Sequence, residues 1–538
     1  MKLLNLFHTI GLVVAISSES VVTLNVTFFL HLPYDGSPYS DEFLQPAITM
    51  AFNYLKERYN GTEYSIQTQR QVFPSIYRCD QALAVISQIA AQYFFELVEG
   101  HPDTASIVFV TGCTEVMAYT ADFTREANVL LVTSAGSESA LDDKQRAPTL
   151  VRFGAYQASD VASCVVSVLL RHSWYHVTLF VDNVDGYYAD VGTNLNYILK
   201  PEDGFTNLLI SYDSTTGNES SLPLALMLAK RASRGWYLNA KRSLATAAQF
   251  GMANGDFVYI ATWPFQHPSY GNLSWEYFDK YDLIAKEAFR SVLIITPQKP
   301  TEAKLREIQA TRHLSPLEMA NFQNNPHVLD TFIALIVAAE VVVNASRGNN
   351  NSDYRNGAVL ASYFRNKSFD TVAGTVEMDG DGDKFSHYSL LSFDACMGQF
   401  REAFVYYPLV NSLIPTPGWK IAWPGHSKRP PVDVPLCGFL NENPICQPVE
   451  HGISLGILWM LGVLFVIPLI VIYLHRRHRR QESDQVFAQW VLNADDLRPC
   501  FSSSTWTRRA TLPRREMLTK RQLQESLSLP GYAYTYWS

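Results

Sequence analysis

A chain of 538 residues with 47% hydrophobic and 17% charged side chains excludes a disordered polymer and fits a folded protein carrying a membrane segment. That length allows one to four domains. The formal net charge of −8 is unevenly placed: residues 1–474 carry −13 and residues 475–538 carry +5. The basic part sits where it can feel anionic lipid, the acidic part favours a cationic ligand by steering, and no nucleic-acid partner is expected.

In chain order, "MKLLNLFHTIGLVVAISSES" combines a short positive start, an apolar stretch and small residues, so residues 1–18 read as a secretory signal peptide. Residues 21–415 then alternate short apolar strands with amphipathic helices. "VVTLNVTFFL" is a strand, and "DEFLQPAITMAFNYLKERY" is a helix with Asp41 as its expected N-cap. "YSIQTQRQVF", the helix "DQALAVISQIAAQYFFELVEG", "SIVFVTGC", the helix "TEVMAYTADFTREA" and "VLLVTSA" follow. The alternation resumes from "TLVRF" through "HVTLFVD" and "SVLIITP" to the helix "NPHVLDTFIALIVAAEVVVNA". Such a pattern predicts an α/β protein with parallel sheets covered on both faces. About 390 residues exceed one such core, so the pattern predicts two lobes. Lobe 1 is expected at about 21–147 and 268–370, and lobe 2 at about 148–267 and 371–415. Ligands of open α/β sheets bind beyond the carboxyl ends of the strands.

Three stretches in this region invite a functional reading. "VDNVDGYYADVG" sets Asp182, Asp185, Tyr187 and Tyr188 after a strand; acidic and aromatic residues suit a basic peptide ligand, and equally a solvated strand-end loop. "TWPFQHPSYGNLSWEYF", Thr262–Phe278, is either a binding surface or aromatic packing. "DGDGDKF" from Asp379 resembles a calcium loop, but Lys384 and Leu390 stand where an EF-hand needs Gly and Glu, so a β-turn is expected. No metal site, cofactor or catalytic residue is expected: Gly-rich phosphate loops, His-Glu-X-X-His and Gly-X-Ser-X-Gly are absent from the sequence.

Residues 416–451 form a Pro-rich stretch holding Cys437 and Cys446. "GISLGILWMLGVLFVIPLIVIYL", 452–474, is uncharged and spans a ~30 Å hydrocarbon core. The "HRRHRR" after it marks the cytoplasmic side, and 475–538 reads as a mostly disordered tail. Sequons at Asn25, Asn60, Asn218, Asn272, Asn344, Asn350 and Asn366 all precede the apolar run, as a glycosylated ectodomain requires. Six of the seven cysteines do too, which suits disulfides in an oxidising compartment. The expected protein is therefore a single-pass type I plasma-membrane protein with its N-terminus outside.

"VTGCTE", "LLVTSAG", "RHSWYHVTLFVD", "NKSFDTVAGTVEMDGDGD" and above all "WPGHSKRPPVDVPLCGFLNENPIC" together resemble the ligand-binding region of natriuretic peptide receptors and receptor guanylyl cyclases. The resemblance implies a type I periplasmic-binding-protein fold and a dimer, homodimeric or heterodimeric with a related receptor, that binds an extracellular peptide. It implies disulfides Cys79–Cys113 and Cys437–Cys446, and a chloride site at the turn of Gly112 and Cys113, a chemistry that suits a Gly turn at a helix start. The family's serine chloride ligand has no clear match here. Cys164 and Cys396 either pair or remain free thiols. Phe123 matches a position near the family's dimer interface.

Receptor guanylyl cyclases carry kinase-homology and cyclase domains inside the cell, and the 64 residues after Leu474 are fewer than a catalytic domain needs. The expectation is a non-enzymatic receptor: short-tailed, clearance or decoy, or a truncated receptor cyclase. The alternative is a small-molecule or ion sensor, binding between the lobes at the serine-rich turn Val132–Ser139.

Overall fold

The computed structural model describes residues 24–33, 39–59, 64–73, 104–111, 114–137, 139–154, 157–182, 186–212, 221–237, 241–267, 273–276, 278–300, 304–306, 308–309, 315–347, 353–425, 428–447 and 455–488. The expected helix at 80–100 and Cys79, Gly112, Cys113 and Asp185 lie outside them. The chain divides into two compact units, 1–447 and 448–538.

The first unit is built on two large sheets. The first begins with β1 (Leu24–Pro33), α1 (Asp41–Arg58), β2 (Tyr64–Phe73), β3 (Thr104–Val110), α2 (Thr114–Ala127), β4 (Leu130–Thr133) and β5 (Leu150–Arg152). Its five strands run in the order β2-β1-β3-β4-β5, all parallel. The α1 helix starts one residue earlier than expected, with Ser40 at the N-cap and Asp41 in the first turn, where its charge meets the positive helix end. Phe28, Ile107 and Val132 pack with α1 on one face. Val108, Val110 and Leu131 pack with Met117 of α2 on the other, where Phe123 is partly buried.

The second sheet follows from α3 (Ala158–His172), β6 (His176–Asp182), α4 (Gly186–Ile198), β7 (Thr206–Tyr212), α5 (Ser221–Lys230), β8 (Gly235–Tyr237), α6 (Lys241–Gln249), β9 (Val258–Thr262), α7 (Asp282–Phe289) and β10 (Val292–Pro297). The chain then returns to the first lobe with α8 (Pro316–Asn324), α9 (Pro326–Ser346) and α10 (Gly357–Ser362), makes the hairpin β11 (Ser368–Thr371) and β12 (Gly374–Glu377), and comes back as β13 (Tyr388–Asp394), β14 (Gln399–Tyr407) and β15 (Ser412–Pro415). The resulting eight-stranded order is β15-β14-β13-β10-β9-β8-β6-β7.

Two sequence expectations change here. Strand β10 pairs in parallel with β9 and antiparallel with β13, so the return to the first lobe comes after Pro297 rather than at 268. An apolar strand such as "VLIITP", buried along its whole length, says that it is central but not in which sheet. The second sheet is also mixed, because β13, β14 and β15 form an antiparallel extension. Helices α3 and α4 cover one face through Val165, Leu169 and Leu195. Helices α5, α6 and α7 cover the other through Leu226, Leu244 and Phe289.

Two described helices are long and apolar enough to cross a membrane. One, α9, is buried in the first lobe's core through Val328, Phe332, Leu335 and Val342, and its Asn325 side chain caps it by accepting from the His327 backbone. The other lies in the second unit, α11 (Leu455–Ala488), with a span Trp459–Glu482 whose apolar side chains are exposed. Its helix continues through His475–Arg480 without interruption, and Pro468 lies inside it.

Candidate functional site: hinge, cleft and docked segment

The chain passes between the two sheets after β5, after β10 and before β13, and those passages form a hinge. An arginine at the end of an apolar strand, as in "TLVRF", needs a buried partner. Arg152 is 1% exposed and ion-paired to Asp383 and to Asp142, the latter at 2.5 Å, with the Gly136 carbonyl accepting at 3.2 Å. Lys144 donates to the other oxygen of Asp383 at 2.7 Å. The backbone joins in: Arg152 N–H donates to Gly382 O and Lys384 N–H to Arg152 O. Beside it, Lys384 pairs with Asp330 of α9.

This is where "DGDGDKF" goes. Asp379 Oδ1 accepts from the backbone N–H of Asp381 and Asp383 at 2.9 and 2.8 Å, which folds the stretch into a turn, and among the described residues no cluster suits a metal. The turn delivers Asp383 and Lys384 to two different elements. Burial pushes the Asp383 carboxyl up, yet Arg152 and Lys144 pull it below the usual carboxylate range. Asp160, in the first turn of α3, feels the opposite balance: burial and the Asp379 charge raise it to about 7.

The cleft above the hinge is crossed by rings. Tyr39 lies 4.4 Å from His327, Phe43 lies 5.3 Å from His267, and Phe265 lies 5.4 Å from His327. "TWPFQH" thus splits, with Phe265 and His267 packing toward the first lobe. Burial drives His327 down to about 3, so it is neutral and donates from Nδ1 to Ser134 O at 2.7 Å. Ser134 Oγ is 2.7 Å from Thr331 Oγ1. The serine-rich turn is therefore wired to α9 through both polar groups of Ser134.

Among the expected ligand contacts, Asp182 ends β6 and is buried, Tyr188 is buried, and Tyr187 is half-buried against the same core. Their rings sit 5.1 Å apart. The structure therefore places these residues mainly in packing. Of the sequons, Asn344 and Asn366 are exposed and Asn25 is partly buried in β1; Asn60, Asn218, Asn272 and Asn350 lie outside the described residues. Cys164 is a buried free thiol and Cys396 an exposed one.

The Pro-rich stretch is docked on the second lobe. Trp174 Nε1 donates to Pro431 O at 2.7 Å. Asp433 Oδ1 accepts from the backbone N–H of Tyr175 and His176, both at 2.9 Å, and its Oδ2 meets His176 Nδ1 at 2.8 Å. Trp423 packs edge-on to Trp174 at 5.9 Å, and Phe439 lies 5.4 Å from His176. A Cβ on Gly255 would meet Pro424 O at 2.6 Å and one on Gly425 would meet Asn254 O at 2.8 Å; both have positive φ, so glycine is required on each side. Cys437 and Cys446 are joined, with Cα atoms 5.4 Å apart. The motifs "RHSWYH" and "PPVDVPLCGF", far apart in sequence, are two halves of one contact, which no local pattern reveals.

Comparison with known proteins agrees with this architecture. The model of the receptor family ligand binding region matches residues 44–395. The Homo sapiens atrial natriuretic peptide receptor 3 is 26% identical over 276 residues, 48% of this chain and 50% of the relative. The Caenorhabditis elegans receptor-type guanylate cyclase gcy-28 is 25% identical over 219 residues, 40% of this chain and 16% of the relative. The Bos taurus atrial natriuretic peptide receptor 2 is 22% identical over 219 residues, 39% and 20%. The chain thus spans half or less of these relatives. With the family model matched over most of its length, the chain belongs to the receptor family ligand-binding region family and carries a natriuretic-peptide-receptor-like ligand-binding domain.

Proposed function

We propose that the chain is a single-pass plasma-membrane receptor that binds an extracellular peptide of natriuretic type and changes its lobe arrangement in response. The docking of Pro431, Asp433 and Phe439 on the second lobe carries this reading, because a segment so held moves with that lobe. Ligand acts by preferring one arrangement. The folded body faces outward and the basic run after the apolar helix faces the cytoplasm. The receptor works as a homodimer or with a related receptor, with chloride at Gly112 and Cys113 and peptide approaching near Asp182, Asp185, Tyr187 and Tyr188. Its role is ligand binding without cyclic GMP synthesis of its own, as a clearance or decoy receptor. The internal use of both Ser134 polar groups weighs against an amino-acid-type ligand at that turn.

Expression of the full chain on cells without natriuretic peptide receptors tests this, with labelled atrial natriuretic peptide as the probe and cyclic GMP as a second readout. Saturable binding with unchanged cyclic GMP is the expected outcome. No saturable binding overturns the peptide reading, and peptide-stimulated cyclic GMP from this chain alone overturns the non-enzymatic one.

A further inference from the structure

The antiparallel extension of the second sheet has two faces with different fates. On one, α3 packs against Tyr406 and Leu413. On the other, α7 reaches only Phe393 and Phe400. Beyond α7 a cavity of about 1060 Å³ opens over β10, β13 and β14, a size typical of small-molecule sites.

Its walls are built rather than incidental. Asp394 Oδ1 accepts from the backbone N–H of Cys396 and Met397 at 3.0 and 3.2 Å, fixing the β13–β14 turn. Trp275 Nε1 then pins that turn by donating to Gly398 O at 3.0 Å. The Lys286 ammonium of α7 stands 4.6 Å from the centre of the Trp275 ring. Trp263, the residue after β9, also lines the cavity, and its Nε1 is buried and donates to no acceptor among the described residues. A buried N–H without an acceptor keeps its full desolvation cost, so the wall holds an unmet demand for one.

The polar groups define what would meet it. Glu402 in the floor is already used: its oxygens accept from Ser389 and Thr416 hydroxyls. Glu276 is the other lining carboxylate. The cations Lys286 and Lys299 line the cavity and form no ion pair among the described residues. The apolar walls are flat: two indoles and the ring of Phe400. Flat surfaces, an indole donor without an acceptor and two lysines select a flat ring bearing an anionic acceptor.

We propose that this cavity on the second lobe is a binding site for a flat organic anion, an aryl carboxylate or aryl sulfonate, with its ring between Trp263, Trp275 and Phe400 and its acid group on Trp263 Nε1 and Lys286. It meets the hinge at Pro297, Gln298 and Lys299 but includes none of the cleft rings and no residue of α4, and it stands whether or not the peptide reading holds. It gives a role to Trp263 and Trp275, two aromatic residues of Thr262–Phe278 that cleft packing does not use.

Cys396 makes the test direct, because this exposed free thiol lines the cavity. Full-length chain in native membranes is treated with iodoacetamide over a range of 1-naphthalenesulfonate concentrations, and alkylation of Cys396 is read by mass spectrometry. Saturable protection is expected. Trp263→Phe, which keeps the ring and removes the donor, is expected to weaken it roughly five-fold, the worth of one hydrogen bond. Lys286→Gln is expected to weaken it roughly ten-fold or more, the worth of a charged one. 1-Naphthylmethylammonium, the same ring with a cation, is expected to give no protection. Absence of saturable protection, equal protection by the cation, or unchanged protection in both variants overturns the proposal. Thermal unfolding of each variant alongside wild type confirms that any loss is local.

Discussion

The two sheets of the folded body are made by the same chain logic but finish differently. The first is five parallel strands enclosed by helices on both faces, with little left to attach anything. The second takes three further antiparallel strands after the chain has visited the first lobe. Antiparallel strands tolerate one uncovered face, and there a cavity opens beyond α7, while the Pro-rich segment lies along the α3–β6 corner of the same lobe. Burial makes the first lobe a closed core, whereas the second adds an attachment and an opening to its core.

The most disruptive way to test this contrast is at the clamp that ties β5 to the turn before β13. Asp383→Ala leaves Arg152 and Lys144 buried with Asp142 as the remaining carboxylate partner. Loss of about 3–5 kcal/mol is expected, read as a large fall in thermal stability and as earlier proteolysis within both lobes. The pH dependence follows from the depressed Asp383 pKa: its stabilisation is present above the usual carboxylate pKa and is lost as pH falls below it. Wild-type stability should therefore drop in strong acid, and the variant's should drop less.

Smaller effects are expected in the attached segment. Cys437→Ser with Cys446→Ser opens a nine-residue closure and should cost the Pro-rich segment about 2–3 kcal/mol, seen as faster hydrogen exchange over 428–447 with the sheets unchanged. In a chimera carrying a functional cyclase, basal activity should change as well. Asp433→Ala removes an acceptor of two backbone N–H groups and the His176 partner. About 2 kcal/mol is expected, with release of the same segment under limited proteolysis. Unfolding of the second lobe by either change would mean that the segment is part of the lobe's core rather than attached to it.

One further expected effect is a stabilising one. Burial and Asp379 hold Asp160 protonated up to about pH 7. For an acid raised in the folded state, stability declines as pH climbs from the unfolded pKa through the folded one. Asp160→Asn should therefore stabilise the protein at pH 8 and change it little at pH 4. Equal shifts at both pH values would count against it.

Much of the architecture is legible in the sequence because it is periodic. "TEVMAYTADFTREA" and "HVTLFVD" coincide with α2 and β6, and α1 forms despite Pro46, which sits in its second turn. The apolar run of α11 is legible from length alone. Residues whose meaning depends on distant partners are not. Asp383 reads as one acid among four charges in a turn until Arg152, 231 positions away, is beside it. Tyr187 and Tyr188 read as ligand contacts or a solvated strand-end loop because acids precede them after a strand, but the stretch opens α4 and Tyr188 is buried. Cys164 and Cys396 illustrate the same limit: thiol count leaves a pair and free thiols equally open, and only the fold puts one inside the α3 core and the other on a turn.

The prolines of the docked segment have a consequence for how its hold can be changed. Pro424, Pro430, Pro431 and Pro435 have no backbone N–H to offer, so the segment contributes acceptors and the lobe contributes donors: the Trp174 indole and the amides of Tyr175 and His176. The grip is one-sided. Substitution at many of the segment's positions leaves it intact, because the carbonyl at 431 survives any replacement and one carboxylate at 433 does most of the rest. A small rotation of the α3–β6 corner, by contrast, moves all three donors at once. The latch is worked from the body of the receptor, and the strap it holds is passive.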